Sequence, residues 1–355
     1  MMKILHAADL HLDTPFSGRT DAQVRMLKRA LLGVPEQLAQ LCKAEQCDLV
    51  LLAGDVFDGS ATPESIQVLK AALEHMAVPV VITPGNHDFC GPDSPWLREI
   101  WPDNVHIFTR PVLESIVLPQ LDCRIYGAGY QSMDCGALLE NFRAEGMERY
   151  HIGVLHGDAL QRGSAYCPIT QNQVADSGLD YLALGHVHKA GSFVAGQTLC
   201  AWPGCPMGRG NDEAGEKGVY LVTLQQQPTL TFVPLDVPRF YDWEAEVWDT
   251  PEMALKQLLP AVGNDDFYRV TLVGECEPFD TAAVMPPEFP NLELRDRTVP
   301  PAALWDCMGE DSLEGMYFRM LHAALEEADP ETAEQVLLAA KISRRILDGR
   351  EVVLP

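Results

Sequence analysis

The sequence predicts a four-layer αββα sandwich of mixed α/β and α+β character, followed by a small α+β module and a terminal pair of helices. Strand patterns alternate with amphipathic helix patterns over the first half of the chain. From Ser192 onward, short alternating segments are typical of an antiparallel sheet. In addition, five apolar runs end directly in His, Asp or Asn, which indicates that their strands deliver polar groups to one place.

The first half of the chain reads as successive β-α-β units. Strands are predicted near the N-terminus and at 48–53, 78–83, 150–155 and 181–184. Helices are predicted at 21–45, from Thr62-Pro63 onward, and at 138–148. Pro35 should break the first of them, because proline lacks a backbone N–H. Residues 91–120 are predicted as loops with a short strand near 105–108.

The second half supplies the remaining strands and the later domains. Segments 193–202, 218–224 and 229–235 are expected to form an antiparallel second sheet, with a hairpin at Gln225-Gln226-Gln227-Pro228. The predicted domains are 1–236, a catalytic core, 237–310, a small α+β module, and 311–355, a helical pair. That pair either packs on the module or binds a partner.

Composition limits the class of protein. The chain has 355 residues and 47% hydrophobic content, enough for a sizeable core. No apolar run approaches the roughly 20 residues of a membrane helix, so we expect a cytoplasmic protein without a membrane partner. The net charge is −25, an awkward balance for a protein that binds nucleic acid. Two divalent cations would offset that charge locally.

The polar strand ends form a candidate metal site with Asp55 as its hub. Asp55 follows an apolar strand and a glycine that allows a sharp turn. Mixed oxygen and nitrogen donors without thiolates suit manganese, with iron and zinc as alternatives. The candidate ligands are Asp9, His11, Asp55, Asn86, His156, His186 and His188.

Two further residues have predicted catalytic roles. His87 follows the candidate ligand Asn86, which leaves its imidazole to face a substrate. We therefore predict that His87 is the general acid for the leaving oxygen, or that it stabilises charge in the transition state. Asp58, three residues after Asp55, is expected to orient His87 and keep it protonated. Lys189, Arg162 and Arg209 are basic residues expected nearby, each of which could contact phosphate or remain on the surface.

Five motifs in order resemble the calcineurin-like metallophosphoesterase superfamily. They are DxH at Asp9, GDxxD at Gly54, GNHD at Gly85, the single His156, and GHxH at Gly185. The resemblance covers residues 1–235 and implies two metal ions bridged by Asp55. It assigns Asp9, His11 and His188 to one ion, and Asn86, His156 and His186 to the other.

A narrower resemblance concerns the DNA-repair exonuclease branch typified by SbcD and YhaO. It rests on the segment 8–13, on GDVFD, and on Trp202-Pro203-Gly204-Cys205 followed by Glu216-Lys217-Gly218, although relatives often have Ser at the position of Cys205. This resemblance implies a capping role for the small module, a DNA substrate and an SMC-like ATPase partner of the SbcC type. A homodimer is also compatible with this resemblance.

The sequence thus predicts a manganese-dependent DNA exonuclease or endonuclease in a repair complex. A small-molecule phosphodiesterase or phosphatase of the same superfamily is the alternative enzyme, favoured by the acidic surface. A non-catalytic scaffold for an SMC-like ATPase is the alternative without catalysis.

Overall fold

The structure is a computed structural model that describes residues 1–161, 163–299 and 304–349. The chain divides into two compact units, Met1–Arg239 and Phe240–Pro355. Within the described ranges, no helix is both long enough and apolar enough to cross a membrane. The predicted division at 236 and 310 stays a prediction. Residues 300–303 and 350–355, which belong to the predicted second and third domains, lie outside the described residues, as does Arg162.

The first unit contains twelve strands and four helices among its described residues. In chain order they are β1 (Met2–Ala7), α1 (Asp21–Ala44), β2 (Leu49–Leu52), α2 (Pro63–Met76), β3 (Val80–Ile82), α3 (Pro95–Arg98), β4 (Val105–Ile107), β5 (Glu114–Leu118), β6 (Cys123–Gly127), β7 (Tyr150–His156), α4 (Gln171–Asp176), β8 (Tyr181–Gly185), β9 (Gly191–Ala195), β10 (Thr198–Trp202), β11 (Gly218–Leu224) and β12 (Thr229–Pro234).

These strands form two six-stranded sheets. The first has the order β12-β11-β1-β2-β3-β4, and the second has the order β5-β6-β7-β8-β10-β9. β1, β2 and β3 are parallel neighbours in the first sheet, as are β6, β7 and β8 in the second. One core cluster joins the sheets face to face, with Ile4 and Leu51 from the first and Val154 and Ala183 from the second. The predicted αββα class is confirmed.

Helices cover the outer face of the first sheet. Strand residues alternate between two faces, so the buried Val50 points away from the shared core that holds Leu51. Thr20 and Thr62 cap α1 and α2, each accepting a hydrogen bond from the backbone N–H three residues later. Beyond the second sheet lies another cluster that includes Val174 of α4.

Four sequence predictions in this unit are wrong. Residues 91–120 contain α3 and β5 in addition to the predicted short strand, so they are not otherwise loops. The helix at 21–45 is not broken, because Pro35 lies buried inside a continuous α1, where packing outweighs the lost hydrogen bond. Residues 138–148 form turns rather than a helix, with positive φ at Asn141 and Gly146. The segments after Ser192 do not form one sheet, since β9 and β10 extend the second sheet whereas β11 and β12 extend the first.

The second unit has its own sheet and a helical pair. Its elements are β13 (Phe240–Val247), α5 (Pro251–Leu258), β14 (Phe267–Gly274), α6 (Thr281–Val284), β15 (Leu292–Asp296), α7 (Leu313–Glu327) and α8 (Pro330–Leu347). The three strands are parallel in the order β13-β14-β15. Lys341 of α8 donates a hydrogen bond to the Trp248 carbonyl at 2.9 Å, and Arg345 pairs with Glu246. The helical pair therefore contacts the module directly.

His6 connects the two sheets of the first unit. It is fully buried, and its Nε2–H donates to the Leu184 carbonyl at 3.1 Å. Nδ1 therefore carries the lone pair and accepts from the Tyr181 hydroxyl at 2.7 Å. Burial lowers the pKa of His6 to about 3, because the charged form loses its hydration. We expect His6 to stabilise the fold only as the neutral imidazole.

This pKa predicts a pH dependence of stability. Between about pH 6.5 and pH 3 the unfolded chain binds a proton at His6 that the folded chain does not, so the free energy of unfolding should fall with falling pH. His6 should contribute about 1.4 kcal/mol per pH unit in that window. Urea unfolding at several pH values, with chelator present, measures how steeply the free energy of unfolding depends on pH. The wild type and the His6→Gln variant should differ in this slope.

The exposed Gln226 provides the control, because Gln226→Ala removes no titratable group and should retain the wild-type slope. A His6→Gln variant with the same pH slope as the wild type would contradict the role given to His6.

Candidate metal centre

The ends of five strands meet at one edge of the sandwich. Asp9 and His11 follow β1, Asp55 follows β2, and Asn86 follows β3 in the first sheet. His156 ends β7, and His186 and His188 follow β8 in the second sheet. Parallel neighbouring strands place their carboxyl ends at the same edge, which is where α/β folds commonly bind ligands.

Backbone hydrogen bonds fix the first two loops to each other. Asp9 N donates to Gly54 O at 3.0 Å, and His11 N donates to Asp55 O at 2.9 Å. Asp9, His11 and Asp55 all have positive φ, near 50°, a conformation that bends the chain sharply after each strand. The three side chains are therefore held together by the main chain as well as by their own contacts.

The first group of close donor atoms comprises Asp9, His11 and His188. One ligand atom from each lies within 4.8 Å of the others. His11 Nε2 is 3.2 Å from His188 Nε2, and His188 Nε2 is 3.7 Å from Asp9 Oδ1. Asp9 and His11 are completely buried. These are the three residues that the resemblance assigned to one ion.

The second group comprises Asp9, Asp55 and His156, again within 4.8 Å. His156 Nδ1 donates to the Ala53 carbonyl at 3.0 Å, so Nε2 is directed at Asp55 Oδ2, 3.2 Å away, and at Asn86 Oδ1, 3.0 Å away. Burial lowers the pKa of His156, but the charge of Asp55 outweighs burial and raises it to about 9. This point in the site favours a positive charge.

Asp55 connects the second group to His11 of the first group. Its Oδ2 is 3.2 Å from His156 Nε2 and 3.8 Å from His11 Nε2. Burial opposes ionisation of this carboxyl, but the charges of His156 and His11 lower its pKa well below the usual range. A carboxylate in this position can contact a cation on either side.

His186 lies beside these groups rather than within them. Its ring centroid is 5.2 Å from that of His156 and 4.7 Å from that of Tyr166. Its backbone N–H donates to both carboxylate oxygens of Asp9, at 3.0 and 3.1 Å. Burial lowers the pKa of His186, which favours the neutral imidazole.

The donor set fits a pair of divalent cations. Two imidazole nitrogens face each other across 3.2 Å, and buried carboxylates of Asp9 and Asp55 lie beside them. Such a cluster is unfavourable without a positive ion, because buried charges need a compensating partner. His11, His188 and Asp9 would hold one ion, and Asn86, His156 and His186 the other, with Asp55 shared.

His87 and Asp58 form a pair next to this cluster. His87 Nδ1 is 2.9 Å from Asp58 Oδ1, and Thr14 Oγ1 donates to Asp58 Oδ2 at 3.0 Å. Hydrogen bonds from His11 and His87 lower the pKa of Asp58 below its usual range, and the bond to Asp58 raises the pKa of His87. The His87 side chain is 39% exposed, so the far side of its ring can reach a bound molecule.

Glycines allow the loops to approach. A Cβ on Gly185 would collide with the Ala53 carbonyl, and one on Gly85 would collide with the Asp55 carboxylate. Gly54 has a φ of +89°, and a Cβ there would meet the His156 ring. Side chains at these positions would separate the strand ends.

Sequence reasoning missed two carboxylates at the site. Asp88 is buried and accepts hydrogen bonds from the backbone N–H groups of Gly85, Val56 and Phe57 at 2.7, 2.8 and 3.3 Å, so it joins the loops after β2 and β3. Its place in the GNHD motif was a usable signal. Glu213 lies 2.6 Å from His188 Nδ1. No motif pointed to it, because it lies 25 residues further along the chain.

The basic residues near the site differ in placement. Arg209 forms an ion pair with Glu213, with Nη2 at 2.7 Å from Oε1. Lys189 is exposed. The remaining candidate, Arg162, is not among the described residues.

Comparisons with known proteins show the family of the chain. The calcineurin-like phosphoesterase family matches residues 2–190. The uncharacterized metallophosphoesterase YhaO of Bacillus subtilis is 32% identical over 291 residues, which cover 77% of this chain and 69% of YhaO.

Two proteins named as subunits of the nuclease SbcCD are also similar. The one from Bacillus subtilis is 25% identical over 60% of this chain and 64% of that protein. The one from Staphylococcus epidermidis is 24% identical over 66% of this chain and 70% of that protein. The family match covers more than half of the chain, including all seven candidate ligands. The chain therefore belongs to the calcineurin-like phosphoesterases, a family that binds two divalent metal ions.

Proposed function

We propose that this chain is a manganese-dependent nuclease that hydrolyses DNA phosphodiester bonds at or near ends. The observation that carries the proposal is the buried donor cluster with the His87–Asp58 pair at its edge. Two relatives are named as subunits of the nuclease SbcCD, which supports DNA as the substrate. We further propose that the chain acts in the cytoplasm with an SMC-like ATPase, and a homodimer remains part of the proposal.

The proposed residue roles follow from the contacts. Asp9, His11 and His188 would hold one ion, Asn86, His156 and His186 would hold the other, and Asp55 would be shared. Two divalent ions at these ligands would supply the positive charge that acidifies water and polarises a phosphoryl oxygen. Asp58 accepts a hydrogen bond from the Nδ1–H of His87 and so directs the protonated Nε2 outward. His87 then donates its Nε2 proton to the leaving oxygen.

A small phosphodiester is the second candidate substrate, favoured by one cavity. This cavity of about 510 Å³ opens beside His87, and its lining includes Asp93, Glu99 and Arg98. Arg98 is already paired with Asp93. Glu99 is likewise paired with Lys70, at 2.6 Å, so neither cation of these pairs is free to bind the backbone of a long polyanion.

Substitution of His87 tests the mechanism. We expect His87→Ala to reduce turnover by about 100-fold or more, because the leaving oxygen loses its acid. Manganese binding should be unchanged, since His87 is not a proposed ligand. Steady-state rates and calorimetric titration with Mn²⁺ measure the two properties, and the exposed His75→Ala serves as the control. Unchanged turnover in His87→Ala would refute the role, and a wild type without any hydrolysis would favour the scaffold.

A substrate panel tests the proposed activity. With manganese present, the wild type should degrade linear single-stranded or double-stranded DNA. It should also hydrolyse bis-p-nitrophenyl phosphate, because both are phosphodiesters. Hydrolysis of the small diester without DNA degradation would favour the second candidate. Turnover of a phosphomonoester alone would exclude a nuclease.

A further inference from the structure

The segment between β10 and β11 encloses the candidate ligand His188. Cys205 N and Lys217 Nζ both contact the His188 carbonyl at 3.3 Å. From the same segment, Glu213 and Arg209 contact the ring. His188 is therefore held at its main chain by Cys205 and Lys217, from the segments of the narrower resemblance, and at its imidazole by Glu213 and Arg209, which lie in none of the quoted motifs.

Two side chains compete for one ring nitrogen. Glu213 Oε1 is 2.6 Å from His188 Nδ1, and Arg209 Nη2 is 2.9 Å from the same atom. A carboxylate can only accept a hydrogen bond and a guanidinium can only donate one. Nδ1 must therefore carry a proton to bond with Glu213, or a lone pair to bond with Arg209.

The presence of a proton on Nδ1 determines whether Nε2 has a lone pair for a cation. A neutral imidazole has one proton, so a proton on Nδ1 leaves a lone pair on Nε2. Nε2 is the atom that faces His11 Nε2 at 3.2 Å and Asp9 Oδ1 at 3.7 Å, in the first donor group. If Arg209 donates to Nδ1 instead, the proton moves to Nε2 and blocks cation binding there.

We propose that Glu213 is a positioning residue that sets the tautomer of His188 for cation binding, and that its pairing with Arg209 directs the Nη2–H of Arg209 to the carboxylate rather than to Nδ1. This rests on the proposed role of His188 as a ligand. Arg209 donates to Glu213 through its backbone N at 2.8 Å and its Nη2 at 2.7 Å. The Glu213 side chain is only 9% exposed, so water does not weaken these bonds. Partners of this kind orient metal-binding histidines and raise metal affinity.

Manganese binding to the full chain tests this inference. Calorimetric titration with Mn²⁺ should give two ions for the wild type. Glu213→Leu leaves only Arg209 at Nδ1, so affinity at one of the two sites should fall by about 10- to 100-fold. Adding Arg209→Met removes the competing donor, and the double variant should bind that ion more tightly than Glu213→Leu alone.

A recovery of Mn²⁺ affinity in the double variant would separate tautomer control from damage to the structure. Structural damage would instead lower the Mn²⁺ affinity of the double variant further. A double variant that binds no better than Glu213→Leu would overturn the inference. Should Glu213→Leu fail to fold by circular dichroism, Glu213→Ala removes the acceptor for Nδ1–H without adding bulk. It should still weaken one site, and Mn²⁺ binding equal to the wild type would overturn the inference. Glu216→Leu, at an exposed position three residues away, should bind as the wild type does.

Failure of the role proposed for Glu213 can be distinguished from failure of the proposed nuclease function. A wild type that binds two manganese ions but degrades no DNA would refute the nuclease, and the weakened site of Glu213→Leu would still support the inference. A wild type that binds fewer than two ions would overturn both.

Discussion

The structure depends on charge compensation among side chains that are buried from solvent. Asp9, Asp55, His11 and His156 are buried at the junction of two sheets, with donor atoms about 3–4 Å apart. Buried carboxylates are tolerated only where a positive partner lies close. The pKa of His156 is raised and that of Asp55 is lowered, because each group stabilises the charged form of the other. The same demand makes the cluster suited to a pair of cations.

The sandwich supplies the geometry that this cluster needs. Parallel β1, β2 and β3 lie in one sheet and parallel β7 and β8 lie in the other, so five loops begin at one edge. Close approach then requires the absence of side chains at Gly85 and Gly185. Asp88 joins the loops after β2 and β3 through three backbone N–H groups. Rigid strands with tied loops hold donors more precisely than free loops would.

Much of this could be predicted from the sequence, because the hydrophobic pattern and the turn residues coincide. The fold class and the strands before Asp55 and His186 followed from apolar runs ending in glycine and polar residues. Long-range packing decided the rest. Pro35 remains in α1 because it is buried there. Residues 138–148 form turns instead of the predicted helix, and Ala144 N donates a hydrogen bond to Ser177 O. Glu213 reaches His188 only through the folded chain, and the pairing of β11 with β1 is equally non-local.

Four of the seven proposed ligands, Asp9, His11, Asp55 and His186, adopt a left-handed backbone that glycine would occupy with less strain. Such conformations cost on the order of 1 kcal/mol each for other residues. Backbone conformation alone therefore gives no reason to keep these side chains. Loss of the proposed ion binding would remove the main reason for aspartate and histidine at these positions, and glycine there would relieve the backbone strain.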